Sequence, residues 1–287
     1  MNGLGKNAAS ARGVRFMLLC ALLDGSAGMF IKLLPWNPFV IAGLRGGLAS
    51  LLLLAFYKRQ RIKIAVTGKS LLAGCMISAM FISFVTATRL TASANVIALQ
   101  FCNPVFIVMF SFILFRQKPA RFDLLTVFGA LAGIAIIFSG SVIPGSAAGN
   151  ILGLFSGLCL AGMLLYNNRV KDPAEHYGAL ILGHAITFLA GIFFIFAYPP
   201  EISPVNIFAI LGLGVLQQMI PNILYAYAIR VCRPLTCSLI MMLQLVINPV
   251  LVFLAVGEAP TLLETLGCGV ILFVSVWALV GSAKERG

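Results

Sequence analysis

Apolar residues along this chain gather into ten runs, at 16–34, 39–57, 71–88, 92–115, 124–139, 151–169, 178–198, 207–229, 235–256 and 262–282. The hydrocarbon slab of a bilayer is about 30 Å thick and an α-helix rises about 1.5 Å per residue, so about 17–25 apolar residues cross it once. Runs of this length predict transmembrane helices, which satisfy their backbone hydrogen bonds internally where no water is at hand. The gaps between the runs then sort by charge. One set holds Lys6, Arg12 and Arg15, then Lys58, Arg59, Arg61, Lys63 and Lys69, then Arg116, Lys118 and Arg121. It continues with Arg169, Lys171, Arg230, Arg233, Lys284 and Arg286, which brings 17 of the 20 basic residues into alternate gaps. Short loops rich in Lys and Arg stay cytoplasmic, so both termini are predicted inside and the number of crossings even.

Composition agrees with an all-α integral membrane protein. The chain is 61% hydrophobic and 10% charged, where soluble domains carry about 25% charged residues. In a soluble protein a net charge of +12 would point to nucleic acid. Here the topology accounts for it, and no basic stretch is interleaved with exposed aromatics, so no nucleic-acid partner is expected. The first apolar run is followed at once by a second, the mark of a retained helix rather than a cleaved signal. Seven cysteines lie in or beside apolar runs. Their odd number and the lack of a CxxC pair argue against disulfides or zinc, and they read as small reduced packing residues. The loops are too short to fold into a soluble domain, so function belongs to the bundle itself.

The chain also repeats itself. Leu99-Gln100-Phe101-Cys102-Asn103-Pro104-Val105 returns, with one extra residue, as Leu243-Gln244-Leu245-Val246-Ile247-Asn248-Pro249-Val250. Ala87-Thr88-Arg89 precedes the first copy and Ala228-Ile229-Arg230 the second; Pro119 with Asp123 and Pro260 with Glu264 follow them. Five crossings per copy force the second half to enter from the opposite side, which gives a 5+5 inverted-topology repeat of the kind secondary transporters use. The expected boundaries are a cytoplasmic tail at 1–15, a first five-helix repeat at 16–140, an external connection at 141–150, a second repeat at 151–282 and a cytoplasmic tail at 283–287.

The segment 87–119, the Gly257-Glu258-Ala259-Pro260 turn and the 5+5 plan resemble the drug/metabolite transporter superfamily, specifically its EamA-type members, over nearly the whole chain. That resemblance implies a ten-helix carrier working by alternating access, often an exporter of amino acids or other small metabolites. Two positions depart from the pattern. Asp24-Gly25 stands where many members carry Trp-Gly, and Arg116-Gln117 where many carry Gly-Glu.

A charge inside the slab costs at least about 2.5–3.5 kcal/mol at a helix centre and faces a cavity or a partner. Asp24, nine residues past Arg15, lies about 13 Å deep by helical rise. It reads either as a proton- or cation-coupling carboxylate or as a structural acid that pairs with a base or caps broken backbone at Gly25-Ser26. Arg45, about 9 Å from the outer surface, can hold a carboxylate with its planar fork, either a substrate's or that of Asp24. His184 could relay protons or serve as a hydrogen-bonded packing residue. Pro104 and Pro249 each remove a backbone hydrogen bond, to the carbonyls of Gln100 and Leu245. Freed carbonyls, with Gln100, Asn103, Gln244 and Asn248 around them and Asn95 a turn above, could line a central cavity or only satisfy the kinked backbone. On the eighth run Gln218 and Asn222 are favoured over Tyr225 and Tyr227, which sit toward the interface; Gln217, Tyr166, Asn167 and Asn168 are further polar candidates. Trp36 and Tyr198 read as outer-interface anchors.

These features predict a secondary transporter of a small polar or amphipathic metabolite (amino acid, amine or organic acid) in the cytoplasmic (inner) membrane, with export favoured over import. Its partners would be the substrate, the lipid bilayer, and protons or another coupling ion, in a monomer or homodimer. No cofactor or metal is expected. The rival reading is an intramembrane enzyme or lipid-handling protein, which would need a clustered nucleophile and base or metal ligands. No HExxH, nucleophile elbow or Walker A motif occurs.

Overall fold

A computed structural model describes residues 3–116, 121–140, 146–170, 172–228, 231 and 234–285. The predicted features at Lys118, Pro119, Lys171, Arg230, Cys232, Arg233 and Arg286, and the first half of the 141–150 connection, lie outside the described residues, as do the side chains of Asp123 and Asn168. Among the described residues all regular structure is helical. The elements are α1 Gly3–Gly25, α2 Ala27–Leu33, α3 Pro38–Arg59, α4 Gly68–Leu90, α5 Ser93–Gln100, α6 Asn103–Phe115, α7 Arg121–Gly140 and α8 Ser146–Arg169. They continue with α9 Pro173–Ala197, α10 Pro204–Leu211, a π-helical stretch Gly212–Met219, α11 Ile220–Ala228, α12 Pro234–Met241, α13 Gln244–Val256 and α14 Leu262–Glu285. Eight helical spans are long and apolar enough to cross a membrane, and Leu124–Gly140 and Leu262–Trp277 are shorter apolar helices.

The starts of the helices carry their own signals. Asn37, Thr67, Asp172 and Ser203 each accept a hydrogen bond from a backbone N–H of the first turn that follows, and Pro38, Pro173 and Pro204 open their helices where no N–H is needed. Packing is set by a few long pairs: α7 on α14, α3 on α9, and α4 on both α8 and α9. At the α3–α9 crossing Gly43 and Gly191 face one another, and a Cβ on Gly191 would stand 2.6 Å from the Gly43 Cα. Only glycine admits so close an approach of two backbones. The core gathers around Ile31, Leu34, Ile41, Val85, Leu99 and Leu213, all fully buried. Large apolar side chains such as Phe193, Phe196, Leu254 and Leu262 are instead exposed, an outer surface that suits hydrocarbon rather than water.

Four of the ten apolar runs are not continuous α-helix. The first breaks at Ser26, whose hydroxyl donates to the Leu23 carbonyl. The fourth breaks at Phe101-Cys102, one residue ahead of Asn103 and Pro104, as the proline predicts. The ninth breaks at Met242-Leu243, not at Pro249, which sits inside α13. The expected break there is therefore displaced by about two turns, and it sets Gln244 rather than Asn248 at the start of a helix. In the eighth run the chain widens to a π-helix over Gly212–Met219. Pro221 follows at once and removes the N–H that would have bonded the Gln217 carbonyl in an α-helix. π-Helical turns of this kind gather at functional sites.

A central cavity with two unpaired charges

The broken helices enclose a cavity of about 620 Å³. Asp24 and Arg45 line it together with Gln100, Asn103, Gln218, Asn222 and Gln244, seven of the ten residues singled out from the sequence. Much of the remaining wall is apolar, from side chains such as Phe81, Phe84, Phe101, Met80 and Met163.

Asp24 sits at the end of α1, next to the Ser26 break. Its carboxylate accepts from Gln217 Nε2 at 3.4 Å, and the Cys20 thiol lies 3.8 Å from its other oxygen. Arg45, 3% exposed, comes from the middle of α3. Its Nη2 donates to Gln218 Oε1 at 2.5 Å, while Nε and Nη1 have no partner. The guanidinium lies over the Phe81 ring, 4.6 Å from its centroid, a cation–π contact. On the ring's stacking surface lies His184, 4.9 Å away centroid to centroid. With its oxygen turned to Arg45, Gln218 presents its amide nitrogen to His184 Nε2 at 3.3 Å, so His184 accepts there. Neighbouring residues Gln217 and Gln218 thus hold two opposite charges, which do not pair with each other: no Arg45 nitrogen lies within 4.0 Å of the Asp24 carboxylate.

Three predicted residues lie elsewhere. His184 stands behind Phe81 and Gln218 and does not line the cavity. Asn248 is fully buried, donates to the Gly25 carbonyl freed by the Ser26 break, and accepts from the Ser93 hydroxyl. Asn95 donates to Glu264 Oε1 at 2.7 Å. Asn248 and Asn95 belong to a polar clasp that closes one end of the bundle. Lys32 pairs with Glu258 at 2.6 Å and donates to the Thr91 carbonyl, and Glu258 also accepts from the Ser93 N–H. Thr91 bonds Asn150 nearby. Trp36, expected at an interface, is buried at this end, its indole donating to the Glu201 carbonyl; Tyr198 is exposed. Toward the other end the cavity continues into a second space of about 360 Å³ that reaches Tyr57, Asp172, His176 and Tyr177.

Sequence reasoning undervalued three cavity residues. Gln217, Asn167 and Tyr225 line the cavity, Gln217 beside Gln218 on the π-helical stretch. The signal was local: Gly212 and Gly214 ahead of the glutamine pair and Pro221 behind it. Phe81 had none, as one of 22 phenylalanines. Among the described residues no group of three or more His, Cys, Asp or Glu side chains could hold a metal ion.

Comparison with known proteins follows the same lines. Residues 11–139 match the EamA-like transporter family. An uncharacterized transporter of Clostridium kluyveri is 25% identical over 302 residues, covering 96% of this chain and 94% of that protein. A protein solved by crystallography, 16% identical, superposes over 100% of both chains with a TM-score of 0.60, so it shares the fold. The chain is a multi-pass membrane protein whose residues 11–139 are similar to the EamA-like transporter family.

Proposed function

We propose that this protein is a secondary transporter that carries a small polar or amphipathic metabolite out across the cytoplasmic membrane by alternating access. One observation carries the reading: Asp24 and Arg45 face a single cavity that runs to one end of the bundle while the Lys32–Glu258 clasp closes the other. Charged side chains are expensive in a bilayer, and those that face a cavity mark a substrate or ion pathway. In this reading ten helices form two inverted halves with both termini in the cytoplasm. Support comes from reciprocal packing: Gly133 lies against Gly267 and Ile271 while Gly267 lies against Gly133 and Ile137, as a two-fold relation between α7 and α14 would have it. The clasp is then external, the open end cytoplasmic, and the cavity stands ready to load an exported solute.

Asp24 serves as the coupling group. Cys20, Gln217 and Arg45 are the groups around it. A change of access that brings Asp24 against Arg45 would release a proton, and one that parts them would favour uptake. In proteoliposomes Asp24→Asn should abolish solute accumulation driven by a proton gradient yet leave solute exchange intact. Undiminished gradient-driven accumulation by Asp24→Asn would remove the coupling role. Orientation is checked by labelling single cysteines in intact cells: Ser203→Cys should react with an impermeant maleimide and Lys63→Cys should not.

A further inference from the structure

We infer that His184, which does not line the cavity, is a positioning residue for Arg45 and acts through Gln218. Its neutral imidazole, protonated at Nδ1, takes the Gln218 amide N–H at Nε2 and so keeps the amide oxygen on the guanidinium. The inference rests on the carrier reading only for its effect on transport; the arrangement itself is tested without a solute.

A glutamine amide has a donor end and an acceptor end of nearly the same shape, so its neighbours decide which way it faces. Arg45 has donors alone, and its Nη2 meets Gln218 Oε1. The amide nitrogen then points at His184 Nε2, 3.3 Å away. That contact is a hydrogen bond only when Nε2 carries no proton, which puts the single proton of the neutral ring on Nδ1. Move that proton to Nε2, or protonate both nitrogens, and Nε2 becomes a donor. Gln218 would then have to turn its oxygen to His184 and its NH2 to Arg45, donor against donor. The three side chains thus admit one consistent set of proton positions, fixed at one end by a guanidinium that keeps its charge.

Two observations separate this role from the filling of space. His184 is 1% exposed, and among the described residues its Nδ1 is buried without a partner. A buried donor left unpaired is costly, and an apolar ring in this place would avoid that cost while still stacking on Phe81. What such a ring would lack is the acceptor at Nε2. The second observation is the scaffold. Gly46, next to Arg45 on α3, lies so close to α9 that a Cβ there would stand 2.8 Å from the His184 carbonyl oxygen. Arg45 and His184 therefore grow from backbones in contact, and Gln218 bridges their side chains. With both ends of its amide engaged, Gln218 holds Nη2 and leaves Nε and Nη1 of Arg45 without protein partners.

The chain holds two histidines, His176 and His184, so nitrogen NMR on protein made with isotope-labelled histidine reads each ring, with His176→Gln for assignment. At neutral pH, in the full chain held in nanodiscs, His184 should show a protonated Nδ1 and an unprotonated, hydrogen-bonded Nε2. Arg45→Met removes the donor that fixes Gln218 and should bring in the Nε2-protonated form. A wild-type His184 protonated at Nε2, or a signature unchanged in Arg45→Met, overturns the inference. Transport then separates the acceptor from the ring. His184→Phe keeps a ring against Phe81 and loses the acceptor, whereas His184→Gln loses the ring and offers an amide oxygen near the place of Nε2. The probe is whichever of leucine, putrescine and succinate wild-type proteoliposomes exchange fastest in counterflow. His184→Phe should raise its half-saturating concentration about fivefold, the contribution of one hydrogen bond, and His184→Gln should stay within about twofold of wild type. A loss in His184→Gln as large as that in His184→Phe, or no change in either, overturns the positioning role. Thermal midpoints identify variants that fail to fold, and the wild-type signature needs none of them. Exchange of none of the three probes by wild type would count against the carrier and leave the NMR result to decide the inference.

Discussion

Glu258 is the residue whose removal should most directly shift which end of the cavity is open. It makes two contacts across the closed end, an ion pair with Lys32 at 2.6 Å and acceptance from the Ser93 N–H at 3.1 Å. The ion pair is partly exposed, with side chains 14% and 29% accessible, so it belongs with pairs that contribute about 0.5–1 kcal/mol. The bond to Ser93 meets an N–H at the start of α5 that has no partner within the helix, as a capping side chain would, and is worth about 1 kcal/mol. Glu258→Gln keeps an acceptor for Ser93 and loses the charge. It should favour the outward-open state by about 0.5–1 kcal/mol, a roughly two- to fivefold change in its population. Glu258→Ala loses both contacts, about 1.5–2 kcal/mol, or roughly ten- to thirtyfold. The assay is the rate at which an impermeant maleimide, added outside, labels Asn103→Cys in a background where the native cysteines are serine. Asn103 lines the cavity and is set apart from the clasp residue Ser93 by the length of α5 and the break that follows it, so the rate reads access to the cavity. Labelling should rise in the order wild type, Glu258→Gln, Glu258→Ala. Equal rates in all three would refute the view that this clasp holds the external end shut.

Two further substitutions test the packing that positions the cavity. Asn248→Ala strips a fully buried side chain that satisfies both the Gly25 carbonyl and the Ser93 hydroxyl; it should lower stability in detergent by about 1–3 kcal/mol and leave substrate preference unchanged, as thermal unfolding and counterflow would show. Gly191→Val drives a branched side chain into the backbone of Gly43 and Phe39, where overpacking costs about 1–3 kcal/mol or more; a thermal midpoint equal to that of wild type would show that α3 and α9 do not cross this closely.

Much of this was readable from residue order. The alternation of apolar runs and basic gaps reflects a physical constraint, the thickness and charge preference of a bilayer, that acts on each segment separately. Asp24 and Arg45 stood out for the same reason, since a charge in an apolar run needs an explanation wherever it occurs. Pairings between distant segments were not readable. Asn95 and Asn248 looked like cavity residues because they flank repeated proline motifs, but Glu264 and the Gly25 carbonyl, far away in the chain, claim them. Pro249 suggested a break at its own position, whereas the helix breaks at Met242-Leu243 and tolerates the proline inside α13. Gln217 and Gln218 are successive in sequence, but their partners Asp24 and Arg45 come from two other helices, which no local pattern marks. His184 combined a titratable side chain with a membrane position, yet its place is decided by a stacking partner, Phe81, that no local pattern marks.

Solute counterflow by wild type and Arg45→Gln, reconstituted side by side from folded protein, tests the central claim most directly. Vesicles loaded with unlabelled solute from a panel of amino acids, amines and organic acids should, for at least one of them, take up the labelled form against its concentration gradient when they contain wild type. Arg45→Gln should reduce this at least about tenfold, since it removes the guanidinium donors that would meet the solute's anion. Counterflow by Arg45→Gln at the wild-type rate would contradict the account, because transport would then proceed without the charge around which the cavity is built.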